Sequence, residues 1–389
     1  MSLKKGSVVR FFSPPKSSYF LLGPRGTGKS TAMRAAYPTA RWLDLLDPAL
    51  QQRYQAQPER LREFVEAEQS SKIIVIDEIQ KIPKLLDVVH ALIEEKRGYQ
   101  FILTGSSARK LKRTGADLLA GRAVMRSLHP FMAAELEKEF DLKNALRVGL
   151  LPLVCQAPDS EDILRSYVAL YIREEVQMEG LVRNLGRFSR FLEAVSFSHG
   201  SPLNMNAIAQ ECAVDRKSVE NYVGILEDLL LAYRIPVFTK RAKRELSAHP
   251  KFYFFDPGVF RSLRPQGPLD HVNEIDGHAL EGLVAEHLRA WIDYGQRNAS
   301  LSFWRTRSGS EVDFVIYGPN DFVAIEVKNS SRLRNEDLRG LNAFKDDYPE
   351  ADVIFLYRGS EKLKRGRVLC WPCEDFLRRL RPERKIVSA

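Results

Sequence analysis

Cysteine is scarce in this chain, and long apolar runs are missing from it. Four cysteines among 389 residues, Cys155, Cys212, Cys370 and Cys373, form no disulfide framework and give a secreted origin no support. Cys370-Trp371-Pro372-Cys373 has the spacing of a redox pair or of half a zinc site. No second Cys/His pair lies nearby, and the segment reads as a terminal strand running into a helix. No stretch approaches the length of a membrane span. The start, Met1-Ser2-Leu3-Lys4-Lys5, is basic, but residues 8–12 are too short, and too interrupted by Arg10, to be the apolar part of a signal peptide. A cytoplasmic protein with no membrane partner is therefore expected. Acidic residues are in deficit as well: 59 Lys and Arg against 50 Asp and Glu leave a formal charge of +9. That balance favours a polyanionic partner, nucleic acid ahead of a membrane surface. The length leaves room for two or three domains with their own cores, so neither disulfides nor a structural metal are needed.

Gly23-Pro24-Arg25-Gly26-Thr27-Gly28-Lys29-Ser30 fits the phosphate-loop pattern G-x-x-x-x-G-K-[ST] at every fixed position. Residues 18–22 before it read as a buried strand and residues 30–36 after it as a helix. Glycines let successive N–H groups turn toward phosphates, and the helix beginning near Lys29 adds its positive end. ATP is the expected ligand, held by Gly23, Pro24, Arg25, Gly26, Thr27, Gly28, Lys29, Ser30 and Thr31. Lys29 would reach the β- and γ-phosphates and Ser30 the Mg²⁺.

Lys72-Ile73-Ile74-Val75-Ile76, continuously apolar from Ile73, reads as a buried parallel strand and ends in Asp77-Glu78. Asp77 suits Mg²⁺, and Glu78 is positioned to orient and deprotonate an attacking water. Small-molecule kinases with this loop generally lack an acid at the second place, because their acceptor is a hydroxyl; an ATPase is favoured. Residues 41–45 form a strand candidate inserted between the two motif strands, and residues 59–69 a helical stretch. After residues 85–95, helical, a strand at 99–103 runs into Thr104-Gly105-Ser106-Ser107. Thr104 or Ser106 could sense the γ-phosphate, or the segment could be an ordinary Gly-Ser turn.

From Pro130 the pattern becomes helical, residues 163–176 suggesting a lid or connector. Helices at 187–195, 205–212 and 216–232 follow in helix-turn-helix rhythm, with Asp215 as N-cap of the third. Strands at 233–238 and 251–255 flank a basic tip. This is a winged-helix shape, and Arg216, Lys217, Lys240, Arg241, Lys243 and Arg244 are its candidate DNA contacts. The other reading is a packing module with a solvated tip. Phe252-Tyr253-Phe254-Phe255 reads as core strand rather than as a stacking platform, since adjacent residues point to both faces.

Near the C-terminus, Glu311-Val312-Asp313-Phe314 and Ile325-Glu326-Val327-Lys328 flank a turn at Gly318-Pro319-Asn320. Glu326 and Lys328 emerge on one face, and hairpin pairing can bring Asp313 alongside; the helix at 279–291 offers Glu281. Carboxylates at that density can bind Mg²⁺, with a lysine positioning water for attack on a phosphodiester. An amphipathic hairpin could carry the same pattern without chemistry.

Taken together, the phosphate loop, Ile76-Asp77-Glu78-Ile79-Gln80-Lys81-Ile82-Pro83, Leu103-Thr104-Gly105-Ser106-Ser107, Leu119-Ala120-Gly121-Arg122, Phe254-Phe255-Asp256-Pro257-Gly258 and the two C-terminal motifs resemble a family of prokaryotic AAA+-type ATPases. Members combine an N-terminal P-loop ATPase, a central winged helix and a C-terminal domain of the restriction-endonuclease, PD-(D/E)xK, type. The resemblance implies a multi-domain α/β protein: ATPase at 1–135, helical connector at 136–186, winged helix at 187–260 and nuclease-like domain at 261–389. It also implies a homo-oligomeric ring, a hexamer in the leading reading, in which an arginine completes the neighbour's ATP site. Arg122 leads, with Arg126, Arg109 and Arg173 as rivals. Three functions follow: an ATP-driven motor that remodels or translocates duplex or branched DNA, a nucleotide-gated switch acting through protein partners, or an ATP-dependent nuclease.

Overall fold

The computed structural model describes residues 8–67, 71–107, 119, 121–171, 176, 184–240 and 249–387. Arg109, Ala120, Arg173, Arg241, Lys243 and Arg244 lie outside the described residues. The four segments suggested by the sequence are grouped into two compact units. One is Phe12–His129 with Asp228–Leu230; the other joins Met1–Phe11, Pro130–Glu227 and Leu231–Ala389.

In the first unit β1 (Tyr19–Leu22), β2 (Arg41–Asp44), β3 (Ile73–Asp77), β4 (Gln100–Gly105) and β5 (Val124–Ser127) form a parallel sheet. β1, β3 and β4 are apolar without alternation and buried almost throughout, as strands covered on both faces must be. Phe20, Ile74, Ile76 and Leu103 join Leu61, Leu86 and Val89 of the helices Arg60–Glu66 and Leu85–Glu94 in one core. The spatial order is β2-β3-β4-β1-β5. The sequence suggests 41–45 as the strand inserted between the motif strands; in the sheet β2 lies at the edge and β4 fills that place. Chain order does not fix sheet order once crossovers are long. The consequence is functional, because the carboxyl ends of β1, β4 and β3 become neighbours.

In the second unit the helices Leu142–Val148 and Ser160–Ser166 lead into a π-helical turn, Tyr167–Tyr171, where the apolar spacing suggests an unbroken helix over 163–176. Three helices, Leu185–Ser196, Met205–Glu211 and Arg216–Asp228, accompany an antiparallel sheet of β6 (Ser201–Pro202), β7 (Ala232–Ile235) and β8 (Lys251–Phe254) in the order β6-β8-β7. Asp215 caps the third helix as expected, accepting from Ser218 N at 2.9 Å and Ser218 Oγ at 2.7 Å. Phe252, Tyr253, Phe254 and Phe255 are all buried, so β8 is core. Asp256 then caps the helix Pro257–Leu263 through Gly258 N and Val259 N and also accepts from Leu150 N at 2.7 Å.

The remainder is a mixed sheet of β9 (Ser300–Arg305), β10 (Glu311–Tyr317), β11 (Phe322–Val327), β12 (Asp352–Tyr357), β13 (Leu363–Arg365) and β14 (Val368–Pro372), ordered β13-β14-β12-β11-β10-β9. The 23-residue helix Val272–Tyr294 precedes it, longer at both ends than its sequence pattern suggests. Helix Arg339–Asp347 makes the crossover from β11 to the parallel β12, packing Leu341 and Phe344 with Val315, Ala324 and Phe355. Cys370 on β14 and Cys373, which opens the helix Cys373–Arg379, are unpaired and wholly buried. Burial pushes the Cys373 thiol up to about 12, against the thiolate character that redox exchange needs.

Candidate functional site

The phosphate loop follows β1 directly. Gly23 is held so close to the end of β5 that a Cβ there would stand 2.4 Å from Leu128 O. Gly28 takes φ 83°, in the left-handed region, and starts the helix Lys29–Ala36. Thr27 Oγ1 donates to Pro24 O at 2.8 Å, and Lys29 Nζ donates to Gly23 O at 2.7 Å and Pro24 O at 3.3 Å. Pro24, Thr27 and Lys29 are buried, Gly26 and Ser30 half-buried, and Arg25 and Thr31 exposed.

The neighbouring strand ends bring the other groups in. Ser30 Oγ donates to Asp77 Oδ2 at 2.5 Å, and Thr104 Oγ1 donates to Asp77 Oδ1. Glu78 N donates to Thr104 Oγ1 at 3.2 Å. Lys29, Ser30, Asp77, Glu78 and Thr104 are thus one constellation across three strand ends. The oxygen pair Ser30–Asp77 is of the hard-donor kind that suits Mg²⁺, and the loop N–H groups with Lys29 suit phosphates; the residues fit a nucleotide with its metal.

Glu78 adopts φ 60°, left-handed backbone that a non-glycine residue rarely takes. Its carboxylate accepts from Ser106 Oγ at 3.2 Å and from Gln80 Nε2, and Gln80 Nε2 also donates to Ser106 Oγ at 3.1 Å. Gln80 is buried and, though quoted in the Asp77-Glu78 motif, is given no role by the sequence. Its signal is its place two residues after Glu78. Arg122 is ion-paired with Glu94 at the end of the helix Leu85–Glu94, with 39% of its side chain exposed.

The C-terminal carboxylates also converge, but around a different lysine. Glu281 comes from the helix Val272–Tyr294, Glu311 and Asp313 from β10, and Lys251 from β8. Lys251 Nζ lies 3.0 Å from Glu281 Oε1, 2.6 Å from Glu311 Oε1 and 2.9 Å from Asp313 Oδ1. Period two explains the choice: Lys251 and Tyr253 share a face of β8, and Tyr253 OH donates to the same Glu281 Oε1 at 2.6 Å. Val327 N donates to Asp313 Oδ2 at 2.9 Å, so the hairpin brings Asp313 beside β11 as its pattern suggests.

Lys328 is not in this cluster. β11 ends at Val327, the alternation ends with it, and the Lys328 side chain is 55% exposed with Asp337 at 3.9 Å. Burial opposes the Lys251 ammonium, but Asp313 and Glu281, with Tyr253 and Glu311, outweigh it and hold the lysine well above its ordinary value. Burial, then Asp313, push Glu326 well above the carboxylate range. Its Oε2 is buried without a partner.

The basic surface is only partly as expected. Arg216 and Lys217 open the helix Arg216–Asp228 and are exposed, as is Lys240, but Arg216 is ion-paired with Glu220 at 2.9 Å. A second basic feature escapes the sequence reading: a cavity of about 730 Å³ lined by Arg332, Arg334, Arg358 and Arg365. It collects the segments following β11 and β12, which are distant in the chain.

Among the described residues, no group of three or more His, Cys, Asp or Glu stands ready to hold a metal, and no helix is long and apolar enough to cross a membrane. A family profile described as an AAA domain matches residues 15–137. Two profiles described as domains of unknown function match residues 139–270 and 276–376. The chain is 26% identical over 322 residues to an uncharacterised protein of Mycobacterium tuberculosis, covering 80% of this chain and 70% of that one. It is 22% identical over 315 residues to an uncharacterised protein of Haemophilus influenzae, covering 76% of each. Among solved structures it resembles the ADP form of Aeropyrum pernix ORC2 at 13% identity and TM-score 0.30, over 69% of this chain and 88% of that chain. It resembles AMPPCP-bound DnaA from Aquifex aeolicus at 16% identity and TM-score 0.25, over 54% and 81%. The chain therefore carries an AAA-type ATPase domain in its first third.

Proposed function

We propose that this protein is a magnesium-dependent ATPase that drives a DNA-remodelling or translocating motor, assembled as a cytoplasmic homo-oligomeric ring, a hexamer in the simplest form. Its parts are the ATPase at 1–135, the connector at 136–186, a winged helix at 187–260 and a restriction-endonuclease-like domain at 261–389. The observation that carries the reading is the convergence of Lys29, Ser30, Asp77, Thr104 and Glu78 at three adjacent strand ends.

Lys29 and the loop N–H groups hold the phosphates, and Thr104 and Ser106 flank the γ-phosphate side. Ser30 and Asp77 would hold Mg²⁺, which would supply charge neutralisation for the transferred phosphoryl group. Glu78 orients water and accepts its proton. Support for DNA comes from the net charge of +9, the exposed Arg216, Lys217 and Lys240, and the cavity lined by four arginines. Arg241, Lys243 and Arg244 are further candidate DNA contacts.

The hydrogen bonds from Gln80 and Ser106 to Glu78 favour a second reading, a switch whose base is restrained until a partner acts. Steady-state ATPase rates with no DNA, linear duplex, single strand and a four-way junction, at two salt concentrations, separate the two. A motor gives structure-selective stimulation that falls with salt; rates indifferent to every DNA overturn it in favour of the switch.

A further inference from the structure

The carboxylate cluster of the C-terminal domain looks at first like a site for a divalent cation, yet its centre is already filled. The Lys251 ammonium has three N–H donors, and three carboxylates stand within 3.0 Å of it: Glu281, Glu311 and Asp313. Nothing remains for a fourth. Glu326 Oε2, on the adjoining strand, is buried and has no hydrogen-bond partner.

That surplus is informative. A buried lysine is balanced by one or two carboxylates, whereas carboxylates drawn from a helix and two strands form the oxygen shell that a divalent ion of six or more ligands takes. A cation with three donors has been fitted to a shell with room for more, and one carboxylate oxygen is left over.

We infer that the Lys251 ammonium occupies the position of a divalent cation, so that the site formed by Glu281, Asp313 and Glu326 is closed to metal by the chain's own strand β8. The closure is built into the sheet. β8 is the central strand of its three, with Lys251 opposite Ile235 of β7 and Pro202 of β6, and Tyr253 holds Glu281 from the same face. Lys328, the residue whose spacing suggests an activating role, points elsewhere. The expectation of Mg²⁺ at this cluster and of phosphodiester cleavage by it therefore does not fit these residues; the domain acts without metal chemistry, as a holding surface. This inference is independent of the ATPase reading.

The test uses nucleotide-free full-length protein and Mn²⁺, with free Mn²⁺ followed by its electron paramagnetic resonance signal. Wild type and Glu281→Gln are expected to bind the same number of Mn²⁺ ions, since any contribution from Ser30 and Asp77 is common to both. Lys251→Ala is expected to bind one Mn²⁺ more per chain, and Lys251→Ala with Glu281→Gln to lose it again. Thermal unfolding with and without Mn²⁺ gives a second readout: the Lys251→Ala protein, or its refolding if it folds only with metal, is rescued by Mn²⁺ and wild type is not. Wild-type Mn²⁺ binding that Glu281→Gln removes would overturn the inference, because the lysine would then not exclude the ion. A folded Lys251→Ala protein with no added site would overturn it equally.

Discussion

Glu78 combines two features that belong together at a catalytic residue: a left-handed backbone at φ 60° and a carboxylate tied by two neighbours. Such a backbone costs roughly 1–3 kcal/mol and persists only where the surroundings over-determine it. Here Thr104 Oγ1 fixes Glu78 N while the carboxylate is held by Gln80 and Ser106. If Glu78 is the base, Glu78→Gln leaves ATP binding intact and lowers kcat by roughly 10²–10⁴-fold. Normal turnover by that variant, with binding measured in parallel, would assign the base elsewhere. Lys29→Ala should instead weaken nucleotide binding itself. Gln80 distinguishes restraint from support: Gln80→Ala is expected to raise the DNA-free kcat several-fold at unchanged KM, because the Gln80 N–H donor fixes the aim of the Glu78 carboxylate away from a bound water. A fall in kcat would mean that Gln80 positions the base.

At the scale of elements, caps and sheet ends account for which motifs were legible. The phosphate loop and the Asp77-Glu78 ending are local, each carried by a strand and the residues next to it, so sequence alone places them. Asp215 as an N-cap is equally local. Lys251 is not: its partners lie 30 and 62 residues away, and only the pairing of β8 with β7 and β6 turns its side chain toward them. Glu326-x-Lys328 misleads for the complementary reason, since period two holds only while a residue remains in the strand. Phe255-Asp256-Pro257-Gly258 is legible as a motif but not as a cap, because one of the three donors to Asp256 is Leu150 N, 106 residues away. Asp256→Ala should cost about 1 kcal/mol for the lost cap and roughly 1–3 kcal/mol more for orphaning that buried donor. Urea unfolding followed by tryptophan fluorescence reads this directly, because Trp291, Trp304 and Trp371 lie in the same unit; Asp256→Asn, which keeps an acceptor, should recover most of the loss.

The helix Val272–Tyr294 supplies a pH dependence. His287 accepts from Ala133 N at Nε2, 2.8 Å, and donates from Nδ1 to Leu283 O, 2.8 Å, so the neutral ring satisfies both partners. Burial pushes its pKa down to about 4, against an unfolded value of about 6.5. The folded pKa is the lower one, so the unfolded chain takes the proton first as pH falls. Stability is then complete above about pH 7 and is lost progressively toward pH 4, by about 3 kcal/mol in the limit. His199, buried and pushed down to about 3 by burial, adds to the same slope. Unfolding midpoints at pH 7, 6, 5 and 4 should fall steadily, and His287→Gln should flatten the fall. An unchanged slope would place the acid sensitivity on other groups.

For the whole molecule, the decisive question is whether ATP sites are completed within one chain or between chains. The proposed site has its loop, the candidate Mg²⁺ ligands Ser30 and Asp77 and the candidate base Glu78 on one sheet, whereas Arg122 stands on the surface, paired with Glu94. A surface ion pair contributes little to stability, so giving up the contact with Glu94 for a neighbour's phosphates costs little. If Arg122 acts in trans, Arg122→Ala retains ATP binding but loses kcat, and Lys29→Ala loses binding yet still presents a normal Arg122. Mixing the two inactive proteins then creates interfaces in which an intact loop faces an intact arginine, and activity reappears in proportion to such pairings. A site completed in cis gives no recovery at any mixing ratio. Wild-type activity per chain should also fall on dilution below the assembly concentration, while that of an enzyme acting within one chain would not. Recovery on mixing together with loss on dilution would make the assembly the catalytic unit, and the failure of either would return the arginine's role to Arg126 or to a surface ion pair.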